Sequence, residues 1–160
     1  MQNINPRKRR MSRRFAMQAI YQWLLTGNEM DYISRKFTVD EYARQMDVEF
    51  FNKILNGVLE HHTKLCEILG RVMTKDSERS LEQVDPIERS ILLLGTYEFS
   101  HCYESPYRVV INEAIELAKI YGAEDSFKYV NAVIDKLMPS LRPVEWRSSQ
   151  SRSDKKKKEE

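Results

Sequence analysis

Cysteine is scarce in this chain, with two among 160 residues, Cys66 and Cys102. They match no metal-ligand spacing and no disulfide framework, so they read as ordinary buried thiols in a reducing cytosol. Glycine and proline are also few, five of each, which excludes low-complexity and collagen-like architectures. No glycine-rich phosphate loop is present, and no nucleophile is paired with a plausible base. The adjacent His61 and His62 have no further ligand-type residues nearby, so they do not make a metal site. Catalytic residues, bound metals and cofactors are therefore not expected. No apolar run approaches the roughly 20 residues of a membrane span. The N-terminus is basic but lacks the apolar core of a signal peptide, which points to a cytoplasmic protein.

Hydrophobic residues make up 41% of the chain and aromatics 10%, a globular composition. Apolar residues recur at three- and four-residue steps, so the expected fold class is all-α, in one domain. The formal net charge of +2 conceals an uneven distribution. Residues 7–14 carry six basic side chains and no acid, residues 15–146 carry a net −7, and residues 147–160 a net +3. Basic charge thus sits at both ends of an acidic body. In the first cluster arginine outnumbers lysine five to one. Guanidinium grips phosphate bidentately and stacks on bases, so this segment suits a nucleic-acid backbone.

Along the chain, residues 1–7 read as a flexible N-terminus. Helical periodicity begins near Lys8, with Phe15, Ala16, Ala19, Ile20, Trp23 and Leu24 on one face. Residues 26–47 carry few apolar anchors and read as a loop with short helices over 32–37 and 38–45. Asp47 opens a long helix through Leu69, with a break over 70–80. Asp85-Pro86-Ile87-Glu88 is the sharpest local signal: an aspartate cap, a proline at the first helical position and a glutamate placed to complete a capping box. The helix that follows is apolar nearly all round, which predicts a central element, and Gly95 within it predicts a close helix–helix approach. Residues 105–138 read as two helices, with Ser105 and Pro106 starting the first. Gly122 would end it in the left-handed conformation, and Asp125 or Ser126 would cap the second. Asp125, Lys128, Tyr129 and Ala132 fall off the apolar stripe of that second helix. Residues 143–160, rich in serine and lysine, read as a disordered basic tail. The folded domain is expected over 8–142.

These residues resemble the NusB family of bacterial transcription antitermination factors. Arg9-Arg10-Met11-Ser12-Arg13, Ala16-Met17-Gln18-Ala19-Ile20-Tyr21-Gln22-Trp23 and Asp85-Pro86-Ile87-Glu88-Arg89 carry the likeness. So does the block from Pro106-Tyr107-Arg108 through Asn112-Glu113 and Gly122-Ala123-Glu124-Asp125-Ser126 to Asn131. The resemblance implies an all-α, compact bundle of about seven helices in two packed subdomains. It also implies a non-enzymatic role: binding boxA RNA of nascent ribosomal transcripts together with NusE, a small-subunit ribosomal protein, and helping to assemble the antitermination complex on RNA polymerase. Carried over by position, it puts RNA contacts on Arg9, Arg10, Arg13, Asp125 and Tyr129, and partner contacts to NusE on Glu88 and Tyr21; Lys128, on the same polar side of the helix as Asp125 and Tyr129, is added to the expected RNA contacts. Three positions depart from the usual family residue: Phe127 for histidine, Tyr129 for phenylalanine and Ala132 for glycine. A tyrosine ring still stacks on a base. Two alternatives stay open, a stand-alone accessory domain for RNA modification and a helical adaptor that binds only protein.

Overall fold

The structure, a computed structural model, describes residues 4–73 and 80–159; among them run nine α-helices and no strand. They are α1 (Pro6–Thr26), α2 (Met30–Arg35), α3 (Asp40–Ala43), α4 (Val48–Glu60), α5 (His62–Met73), α6 (Pro86–His101), α7 (Tyr107–Tyr121), α8 (Ser126–Leu141) and α9 (Pro143–Glu159). The all-α architecture expected from the periodicity is the one observed.

Helix α6 is the hub. Every residue from Ser90 to Phe99 is buried, and the helix packs against α1, α4, α5, α7 and α8. Its four-residue apolar run, Ile91 to Leu94, is at most 2% exposed, and each such side chain contributes about 1.5–3 kcal/mol by leaving water. Asp85 caps it by accepting a hydrogen bond from the Ile87 amide at 2.8 Å, with Pro86 at the first helical position. At the other end Arg142, itself buried, donates from its guanidinium to the carbonyls of Phe99 (2.7 Å), Cys102 (3.0 Å) and Ser105 (3.1 Å). A charged side chain thereby gathers the carbonyls at and just beyond the helix end, Phe99 among those the last turn leaves open.

Several local expectations are corrected. Helix α1 begins at Pro6, earlier than the frayed start inferred, because the Asn5 side chain accepts from the Arg7 and Lys8 amides. Glu88 does not close a capping box on Asp85; it accepts instead from the Ser126 hydroxyl. Gly95 marks no close approach, since a methyl there would meet only the edge of Phe99, at 3.9 Å. The tight contact is at Gly57, where a methyl would collide with the Tyr97 ring. Gly122 is extended, not left-handed (φ −86°); it is there for space, because a Cβ would lie 2.6 Å from that of Ser126. Ser105 caps nothing. The free Tyr107 amide at the start of α7 donates to the Glu145 carboxylate of α9 at 3.1 Å. Of the break expected over 70–80, helix α5 continues to Met73, and residues 74–79 lie outside the described residues.

The basic tail is the largest difference. Residues 143–159 form a helix rather than a disordered segment. Pro143 suits a first helical position, Glu145 stands in the first turn, and Glu145 pairs with Arg142 at 2.7 Å. Trp146 packs against the core. The first two turns are thus anchored by long-range contacts, while the rest is exposed apart from partial cover at Ser149.

Residues 26–47 do contain short helices, and two of their aromatic side chains hold them to the core. The Phe37 and Tyr42 rings lie 5.8 and 5.3 Å from Phe15, and Phe37 also meets Phe51 at 6.1 Å.

Candidate nucleic-acid interface

The arginine cluster lies on the first three turns of α1, and the fold separates its members. Arg7, Lys8 and Arg10 are exposed. Arg10 is 54% exposed, and its Nε donates to both carboxylate oxygens of Glu113 on α7, at 3.1 and 3.3 Å. Arg9 is mostly covered, its guanidinium 4.2 Å above the Phe50 ring and 3.9 Å from Asp47, with Nε lacking a hydrogen-bond partner. Arg13 is 4% exposed and forms a forked ion pair with the buried Glu98 of α6, its Nε 3.0 and 3.1 Å from the two oxygens. Helical phase explains the split. Residues 9 and 13 are four apart and share the face turned toward α4 and α6, while 7 and 10 share the outer one.

A second group gathers where α7 ends and α8 begins. Asp125 and Lys128 form an exposed pair at 3.3 Å. Such pairs contribute at most about 1 kcal/mol, so both side chains are easily recruited by a ligand. Tyr129 is half-buried, its ring packed against the core. Glu88 joins this group through its 2.7 Å bond from Ser126, a contact that sequence reasoning missed. Also missed was the bond from the Gln18 amide to the Tyr121 hydroxyl, 2.9 Å. Tyr21, one turn beyond Gln18 on α1, is half-buried against the same core.

Two contacts fix the relation between the groups. Arg10 meets Glu113 and Gln18 meets Tyr121, so α1 and α7 lie side by side and run in the same direction. Eight residues on each helix separate the contacts, which is about 12 Å of helix rise. The arginine end of α1 and the group of Asp125, Lys128, Tyr129 and Glu88 therefore occupy opposite ends of one edge. They do not converge on a single pocket. A cleft of about 300 Å³ does lie near the first group, lined by Ile4, Arg9, Asp47, Phe50, Lys53 and Glu104. Glu49 also lines it, so three acids face two cations, as in a surface ion-pair network. Among the described residues no group of three or more His, Cys, Asp or Glu side chains could hold a metal, and no helix is long and apolar enough to cross a membrane.

An all-helical domain with a guanidinium-rich helix end and an open polar edge in place of an enclosed pocket is a macromolecule-binding module. The chain belongs to the NusB family, whose model matches residues 10–139. A Burkholderia lata protein named transcription antitermination protein NusB is 44% identical over 137 residues, covering 86% of this chain and 92% of that one. Its namesake from Alcanivorax borkumensis is 46% identical over 140 residues, 88% and 91% of the two chains. Among solved structures, NusB of T. maritima superposes with a TM-score of 0.73 at 26% identity, over 92% of this chain and 99% of that one. A structure of antitermination factors NusB and NusE in complex with dsRNA shares the fold, with a TM-score of 0.70 at 22% identity over 80% and 93% of the chains.

Proposed function

We propose that the chain is a cytoplasmic transcription antitermination factor that binds boxA RNA of nascent ribosomal transcripts together with NusE, helps assemble the antitermination complex on RNA polymerase, and catalyses no reaction. The observation that carries this reading is the presentation of Arg7, Lys8 and Arg10 on the outer face of a rigid, capped helix. Three cations on a preformed element meet successive phosphates without the cost of ordering a flexible arm. Arg9 and Arg13 take supporting roles, holding α1 against α4 and α6 so that the outer face keeps its position. At the far end of the edge, Tyr129 offers the uncovered part of its ring for stacking, while Asp125 and Lys128 supply polar groups for base edges. Glu88 and Tyr21, near that end, serve NusE. A single strand laid along α1 and α7 reaches both ends, and NusE on the adjacent surface extends the platform.

Binding of labelled boxA RNA, titrated with and without NusE, tests the proposal. Replacing Arg7, Lys8 and Arg10 by glutamine should weaken binding and flatten its salt dependence by about 2 in slope, since each lost single-strand phosphate contact removes about 0.7. Tyr129→Ala should lower the preference for boxA over a scrambled sequence. Unchanged affinity and slope in the triple variant contradict the reading.

A further inference from the structure

Beyond residue 139, where the family model ends, the chain builds a feature that the proposed function does not use. Helix α9 runs out from its anchor at Glu145 and Trp146, and one of its faces carries Arg152, Lys155 and Lys156, three and four residues apart. That face does not stand alone. It lines a cleft of about 550 Å³ with Arg108 of α7 on the opposite wall. Arg108 is fully exposed, and its Nε donates to the Tyr107 hydroxyl at 3.3 Å. This bond is the main reason the Tyr107 phenol is held below its usual pKa. The two walls are tied at their base, where the Tyr107 amide donates to Glu145 of α9 at 3.1 Å. Four cations from two helices therefore converge on one space, with Glu159 as the acid on its lining. None of the four forms an ion pair with a described residue.

We infer that this cleft is a second phosphate-binding surface, which takes up the backbone of single-stranded RNA flanking the segment held by α1, without regard to sequence. The inference rests on the RNA-binding reading above. Four cations against a single lining acid, Glu159, repel one another in the free protein, and a polyanion relieves that repulsion. Ser149, Gln150 and Ser153, interleaved with the cations, are the neutral donors that commonly accompany arginine and lysine at phosphates. A membrane surface fits less well: an interfacial helix needs an apolar face, and α9 has no buried residue and only Val144 and Trp146 as large apolar side chains, with Trp146 already packed on the core. The position along the fold is also suitable. The α1 arginines reach α7 at Glu113, less than two turns from Arg108, and α9 reaches it at Tyr107.

The test compares two RNAs on the full chain: a short boxA oligonucleotide, and the same sequence extended on both sides by unstructured RNA. The wild type should bind the extended RNA more tightly and with a salt slope steeper by about 2–3, corresponding to three or four added phosphates. R152Q/K155Q/K156Q should erase most of that difference and leave the short RNA unaffected. R108Q alone should remove part of it, about 0.7 in slope. The α1 variant R7Q/K8Q/R10Q should weaken both RNAs alike. Equal slopes for the wild type on both RNAs overturn the second surface, as does a tail variant that matches wild type on the extended RNA. So does tail-dependent capture of phosphatidylserine vesicles without any change on RNA. If the wild type binds neither RNA even with NusE present, the antitermination reading itself fails.

Discussion

Within one short motif the arginines have three different physical settings. Arg10 projects into water beside Glu113, Arg9 is held between Phe50 and Asp47, and Arg13 is buried in a forked pair with Glu98. Desolvation of a buried pair largely cancels its mutual attraction, but removing one partner strands the other charge. Arg13→Ala should therefore cost about 3–5 kcal/mol of stability, whereas Arg10→Ala should cost less than about 1. Their effects on RNA binding should be ordered the other way among folded molecules. Arg13→Met combined with Glu98→Leu provides the check, because it replaces the whole pair with apolar groups. Denaturant unfolding should show most of the lost stability recovered, and RNA titration should show affinity near wild type. Loss of binding in this well-folded double variant would mean that the Arg13 charge itself acts on RNA.

At the scale of elements, the junction of α4 and α5 holds two rings whose protonation the fold opposes. His62 packs edge-on against Trp23, with ring centroids 4.9 Å apart, and both burial and the nearby Arg89 lower its pKa. His101 stacks on both His61, at 4.4 Å, and Tyr97, at 4.7 Å; burial first, then His61, lowers its pKa. A lowered histidine pKa means that the unfolded chain takes up protons first as pH falls through its ordinary value of 6.5. Stability should then be flat above about pH 7 and decline from there toward pH 5. Melting curves across this window should show the decline, shallower in His62→Gln and His101→Gln. A wild-type melting temperature that rises on acidification would contradict the assigned direction.

These elements also show which parts of the fold could be read from the sequence. The cap at Asp85 and the centrality of α6 were legible because both are local, written in residues one to four apart. Glycine roles were not. Gly57 rather than Gly95 meets a neighbouring helix because of how α4 docks against Tyr97, which no window of sequence contains. The interface was legible as residue types but not as a surface. Helical phase sets Arg13 apart from Arg10, but the carboxylate that makes Arg13 a buried ion pair, Glu98, is eighty-five residues away and in no local window. The helix at the C-terminus was hidden for the same reason: its composition reads as disordered, and its anchors are contacts to Tyr107 and Arg142.

For the whole molecule, α9 joins two functions along one continuous helix, and they can be separated. Its first turn belongs to the fold. Glu145 satisfies the α7 amide at Tyr107 and neutralises the buried Arg142, whose guanidinium closes the end of α6, and Trp146 covers the core beside them. Its distal turns touch little and carry the basic face. A chain ending after Gln150 should therefore keep the wild-type melting temperature within about 1 °C, since substitutions or deletions of solvated surface rarely matter more. A chain ending after Arg142 leaves that guanidinium without its carboxylate and the Tyr107 amide without an acceptor. Losing charge-assisted hydrogen bonds of this kind costs about 1–3 kcal/mol, or a fall of about 3–10 °C in melting temperature for a protein of this size. Calorimetry on the two shortened chains distinguishes an anchored helix from an appended one. If both melt like the full chain, the Glu145 contacts carry no stability and α9 is only an appendage. If the shorter chain alone is destabilised, the fold extends past the residues that define the family and holds the basic face at a fixed place beside Arg108.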